Sequence, residues 1–288
     1  MGMKKRLLWL LLAGAAVLVY VGLQTGVIYG SVMAAAVAAG GAPWDAFAPG
    51  PAGDEAWAWY RDNLDGVLMG YTALCGLVFW GWGRGMKRFL TPPPREACTR
   101  RQLGGLCLAG GGLQLLTNLA VIFGSLLAPE QVEEYNELVE TAGLNQPGLS
   151  VLVCTALLAP VAEEMLCRGL LMGFFRRAGS RFWLANLLQA LCFAVLHMNW
   201  VQGVYAFVLG LLLGQVRRRY RRMSFCVLLH AVINASGFLP AALIGFIPSP
   251  AAALALMAAL GYGLARVGLG RLALFERQGR WKFSPPQG

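Results

Sequence analysis

Charge is scarce in this chain: 13% of its 288 residues are Asp, Glu, Lys or Arg, while 57% are hydrophobic. Soluble domains carry about 25% charged and about 45–50% apolar residues, so the composition argues against a soluble enzyme. Histidine is scarcer, with two copies, and neither stands in the HExxH spacing of familiar zinc proteases. The seven cysteines, Cys75, Cys98, Cys107, Cys154, Cys167, Cys192 and Cys226, include no CxxC pair; six fall in apolar blocks and Cys98 in a basic connection. A disulfide framework is therefore not expected, and small packing residues are. Internal repeats are also lacking. The longest polar stretches, about 42–65 and 128–148, are too short to bury a core of their own.

What the sequence has is long apolar blocks. They cover approximately 7–30, 66–83, 103–127, 149–175, 182–199, 201–216, 223–245 and 250–268. A bilayer span needs about 20 such residues, and helices satisfy their own backbone in lipid. The pattern predicts an all-α, polytopic membrane helix bundle of about eight transmembrane helices, a single integral-membrane domain over 1–288. The first block follows Lys4, Lys5 and Arg6 and so imitates a secretory signal, but it exceeds a signal core of about 7–15 residues. A retained first helix is expected. Gly169 with Gly173, and Gly210 with Gly214, form small-xxx-small spacings that suit close helix packing.

The formal net charge is +10, and its placement says why. All of the 24 Lys and Arg except Arg61 and Arg168 fall at the termini or in alternate connections: Arg84 to Arg101, Arg176 to Arg181, Arg217 to Arg222. The intervening connections hold Asp45, Asp54, Glu55, Asp62 and Asp65, then Glu130, Glu133, Glu134, Glu137 and Glu140. Lys and Arg resist translocation, so both termini are expected to be cytoplasmic. Nucleic-acid binding would need basic residues interleaved with aromatics on one surface, and it is not expected here.

A few polar residues interrupt the spans. The fourth contains Glu163, Glu164 and Arg168, and an ionisable group at the centre of a span costs about 2.5–3.5 kcal/mol on insertion scales. Glu164 and Arg168 are four residues apart and share a helix face, which predicts a structural clamp. Glu163, turned by about 100°, is left to act as base or acid; a buried ion network of all three is the bland alternative. His197 follows in the fifth span, and His230 shares a face with Asn234 in the seventh. At about 1.5 Å per residue, Glu163, His197 and Asn234 lie about 16–22 Å from the cytoplasmic ends of their spans and His230 about 10 Å. All four are expected in one mid-membrane cavity.

Glu and His together can take a proton from water, and a His with an Asn amide can donate to a developing oxyanion. That equipment suits amide hydrolysis without a Ser or Cys nucleophile. Zinc held by Glu163, His197 and His230 is the alternative means of activating the water. A proton-coupled transporter is a more distant reading, since no paired discontinuous helices or repeated halves are present.

The order Glu163-Glu164-x-x-x-Arg168, Phe193-x-x-x-His197, His230-x-x-x-Asn234 resembles the three-motif signature of the CAAX protease and bacteriocin-processing (Abi) family of intramembrane endopeptidases. The motif core spans about 149–245. The resemblance implies that Glu163 and His197 activate the attacking water, that His230 and Asn234 stabilise the oxyanion, and that Glu164 and Arg168 support the site. It leaves open a divalent metal such as zinc. It implies membrane lipid as surroundings and, as substrate, a prenylated protein or a bacteriocin-like or signal-peptide-like polypeptide. The compact sequence is closer to the prokaryotic branch, which places it in the cell membrane. The runner-up is a non-catalytic membrane scaffold or bacteriocin self-immunity protein.

Overall fold

The computed structural model describes residues 2–86, 99–143, 148–238 and 247–274, and among them every regular element is helical. The chain runs through α1 (Met3–Ala38), a 3-10 turn (Pro43–Phe47), α2 (Pro51–Asp62), α3 (Leu64–Gly85), α4 (Arg100–Gly124) and α5 (Pro129–Thr141). It continues through α6 (Leu149–Arg177), α7 (Phe182–Val195), α8 (Trp200–Tyr220), α9 (Met223–Ala235) and α10 (Pro250–Leu272). Six of these, α1, α3, α4, α6, α8 and α10, are long and apolar enough to cross a membrane. The expected fifth and seventh spans appear as α7 and α9, with 14 and 13 residues. At about 1.5 Å per residue each reaches about 20 Å, short of a core of about 30 Å. The expectation of eight spans thus becomes six long helices and two short ones. The end of the seventh expected span, from 239, lies outside the described residues, as do Cys98, Lys87, Arg88, Arg95, Arg277, Arg280 and Lys282. The six described cysteines are free thiols.

Lipid is the surrounding that the long helices need. Leu18, Leu77 and Val208 expose 73%, 67% and 60% of their surface, an outward apolar display that water would penalise. The inside is organised on α6. Leu166, Leu170, Leu171, Met172 and Phe174 point all round this helix, yet none is more than 1% exposed, which marks a helix enclosed by its neighbours. Those neighbours are α1, α3, α7, α8 and α9. The 36 residues of α1 make about 54 Å. Its C-terminal end packs Val32 and Ala36 against Ala46 and Ala56 of the following connection, which is helical where the sequence promised only a polar stretch.

Small residues set the closest approaches. A Cβ at Gly214 would collide with the side chain of Asn186, and one at Gly210 would meet Ala190 Cβ at 3.0 Å, so the Gly210/Gly214 spacing docks α8 on α7 as expected. Tighter still is α4 against α10. There a Cβ at Gly112 would strike the backbone of Ala265, and one at Gly268 the backbone of Ala109.

Candidate active site

The local winding of α6 places the carboxylates. It alternates between α and π turns, with π turns at Cys154–Leu158 and Met165–Leu171 on either side of the α turn Ala159–Glu164. Pro160 supplies a cause for the first. In π winding each carbonyl accepts from the N–H five residues on; Ala159 N–H does so to Cys154 O. The next donor would be Pro160, which has none, so the Thr155 carbonyl is orphaned. Asn234 Nδ2 from α9 donates to that carbonyl at 2.9 Å. One Asn234 hydrogen is thereby committed to the scaffold, and the amide keeps a second.

The Glu164–Arg168 clamp forms as the four-residue spacing predicts. Arg168 Nη1 donates to Glu164 Oε1 at 2.7 Å, with both side chains fully buried. Arg168 Nη2 also donates to the Gly210 carbonyl at 3.1 Å, and its guanidinium lies 4.6 Å from the centre of the Phe193 ring, a cation–π distance. The arrangement of Glu163 differs from the ideal-helix expectation that it points elsewhere. Both carboxylates reach the same imidazole: His230 Nδ1 is 3.0 Å from Glu164 Oε1, and His230 Nε2 is 3.6 Å from Glu163 Oε2. A carboxylate only accepts, so Nδ1 carries a hydrogen and donates to Glu164.

His197 is not inside a helix. α7 ends at Val195, and His197 lies in the turn that follows, before Met198 at φ 55°. Its Nδ1 is 2.7 Å from the Phe193 carbonyl, which accepts, so His197 caps an orphan carbonyl of the helix end and leaves Nε2 as the free nitrogen. The Phe193 ring stands edge-on to both imidazoles, 4.7 Å from His197 and 5.7 Å from His230 between centroids.

Glu163, His197, His230 and Asn234 all line one cavity of about 650 Å³, which is the convergence expected of them. Its wall is wider than the three motif helices. Tyr20 and Gln24 of α1, Tyr71 of α3, Gln114 and Asn118 of α4, Tyr135 of α5 and Gln202 and Tyr205 of α8 complete it. Sequence reasoning passed over these uncharged residues, although Gln24, Gln114 and Asn118 are polar interruptions of apolar spans and were visible as such.

Two further features went unread. Asn186 and Gln189 of α7 tie that helix to α8, donating to the carbonyls of Leu211 and Gly210 at 3.0 Å each. Arg217, counted with the basic connection, is 2% exposed and sends its Nε to the Arg168 carbonyl at 3.4 Å. Nothing in an arginine-rich run distinguishes the one that turns inward.

The donor set does not favour a metal. Among the described residues no three His, Cys, Asp or Glu side chains are grouped closely enough to hold an ion. Of the set expected for zinc, His230 is committed through Nδ1 to Glu164 and His197 through Nδ1 to the Phe193 carbonyl.

Comparison with known proteins agrees with the motif reading. Residues 145–236 match the Rce1-like family, described as type II CAAX prenyl endopeptidases. The matched segment contains all of α6, α7, α8 and α9, and with them every motif residue named above. No curated protein and no solved structure gives a significant match to the sequence.

Proposed function

We propose that this protein, whose residues 145–236 match the Rce1-like family of type II CAAX prenyl endopeptidases, is an intramembrane endopeptidase that cuts a membrane-associated peptide or protein, with Glu163 activating the water. The reading rests on one observation above the others: Glu163, His197, His230 and Asn234 share one cavity wall, and a fully buried Glu164 holds the imidazole beside Glu163. Of the two carboxylates, Glu163 is the one with access, its side chain 19% exposed.

Glu163 takes a proton from water as the oxygen adds to the scissile carbonyl carbon, and the carbonyl π electrons move to oxygen. His230, held at Nδ1 by Glu164, presents Nε2–H to that oxyanion when doubly protonated. Glu164 then stabilises the imidazolium, as a carboxylate does for a partnered histidine. The second amide hydrogen of Asn234 is the other donor. The C–N bond breaks as the proton passes from Glu163 to the departing nitrogen, leaving a carboxylic acid and an amine. His197 Nε2, the nitrogen not occupied by Phe193, accepts a hydrogen bond from the water and so orients it for attack. Each of these steps is carried by the protein's own residues. The domain is single, its core is 149–245, and both termini face the cytoplasm, a reading supported by the alternation of basic and acidic connections.

The test is cleavage of an internally quenched peptide by purified protein in liposomes. The peptide is offered in two forms, one with a farnesylated cysteine three residues from its end and one unmodified. Wild type is expected to cut one of them, and Glu163→Gln to lose about 10²–10⁴ in rate while inserting normally. Full activity in Glu163→Gln overturns the assignment.

A further inference from the structure

The cavity wall carries amides that this hydrolysis does not use. Gln24, Gln114, Asn118 and Gln202 line the same space as Glu163 and His230. None of the four side chains hydrogen-bonds to another described residue: Gln202 takes part only through its backbone N–H, which Asn199 caps. Asn118 Nδ2 is shielded from solvent and still has no partner among the described residues. Other inward-facing amides of the bundle are tied to the backbone. Asn186, Gln189 and Asn234 each donate to a backbone carbonyl, as burial away from water requires. Four amides free of partners among the described residues thus lie together on the surface that a substrate would touch.

A carboxamide offers two hydrogens and an accepting oxygen, the same kinds of group as a peptide unit, so it pairs with a backbone carbonyl and N–H together. It carries no charge and so distinguishes little between substrate side chains. Spacing adds a geometric match. Gln114 and Asn118 are four residues apart on α4, about 6 Å along the helix, and an extended peptide repeats every two residues at about 6.6 Å. Neighbouring amides on α4 thus meet equivalent backbone groups of an extended peptide. Gln24 and Gln202 reach the cavity from α1 and α8.

We infer that Gln114 and Asn118, with Gln24 and Gln202 on other walls, hold the substrate's backbone in an extended form across the cavity, so that selection rests on backbone hydrogen bonds and not on charged side chains. The inference rests on the hydrolase reading above. It makes these four the binding residues, distinct from the catalytic set on α6, α9 and the α7–α8 turn.

In the liposome assay, Gln114→Leu and Asn118→Leu are each expected to raise KM about fivefold, with kcat little changed and the melting temperature in detergent retained. The substrate side is tested without touching the fold. N-methylation of single amides two residues apart in the cleaved peptide should raise KM similarly in wild type and add less in the matching Leu variant. Unchanged KM in both variants, together with equal cleavage of the N-methylated peptides, overturns the inference and leaves the hydrolase reading standing. If wild type cuts neither form of the peptide, it is the hydrolase reading that fails. Backbone capture is then decided by the Kd of the Glu163→Gln protein for the farnesylated and unmodified peptides, measured by fluorescence anisotropy. Absent binding, or binding indifferent to N-methylation, overturns it.

Discussion

Glu164 is the residue on which the site's charges meet. Fully buried, it accepts from Arg168 at 2.7 Å and from His230 at 3.0 Å. Breaking a buried pair from one side strands a charge and typically costs about 3–5 kcal/mol, whereas replacing both partners with apolar groups is often near neutral. Arg168→Met alone is therefore expected to destabilise the protein more than Glu164→Leu with Arg168→Met together, measured by unfolding in detergent. Activity should be lost in the double variant, where His230 loses its Nδ1 anchor. That no three His, Cys, Asp or Glu side chains are grouped among the described residues carries a second expectation: chelation should leave the rate unchanged. Stoichiometric zinc in the purified protein, lost on His197→Ala, would contradict the metal-free mechanism. The Glu164–Arg168 pair was legible because a four-residue spacing fixes a helix face without knowledge of any neighbour. The capping role of His197 and the inward turn of Arg217 were not, because the first depends on where α7 stops and the second on a carbonyl that α6 supplies.

Among the elements, α6 and α10 show how a backbone irregularity and a missing side chain shape the bundle. Pro160 deprives the Thr155 carbonyl of its π-turn donor, and Asn234 supplies one from α9. Asn234→Leu in wild type should cost about 1–3 kcal/mol for the stranded acceptor. In a Pro160→Ala background a backbone N–H is restored, and the same substitution should cost less; a double-mutant cycle on stability measures the difference. The tight crossing of α4 and α10 makes a cleaner contrast. Gly268→Ala forces a Cβ onto the Ala109 backbone, whereas Gly263→Ala meets nothing within 4 Å. The first should destabilise markedly. The second should be neutral or stabilise by up to about 1 kcal/mol, since alanine is the better helix former. The span boundaries of α3, α4, α8 and α10 could be read to within a few residues from hydropathy, since lipid exposure imposes length and composition on each helix separately. The π turns could not, because they answer to Pro160 and to packing on every side of α6.

For the whole molecule, the acidic and basic connections predict sidedness. The exposed face of α5 holds Glu130, Glu133, Glu134 and Glu137, opposite in charge to the arginines at the end of α8. A reporter fused after Glu137 should be active only outside the cytoplasm, and one fused after Arg219 only inside; the reverse result would overturn the assigned topology. The membrane class was determined by the sequence alone, and the expected sidedness and motif residues are read from it, because hydropathy, translocated charge and short-range helix geometry need no knowledge of how helices meet. Only the tertiary structure decided that eight apolar blocks become six long helices and two short ones, and that both carboxylates converge on His230. It also decided that Gln24, Gln114, Asn118 and Gln202 face the same cavity from three other helices. The reason is physical: a residue's partner across a bundle is set by the rotation and crossing of helices far apart in the sequence, and no local spacing encodes it.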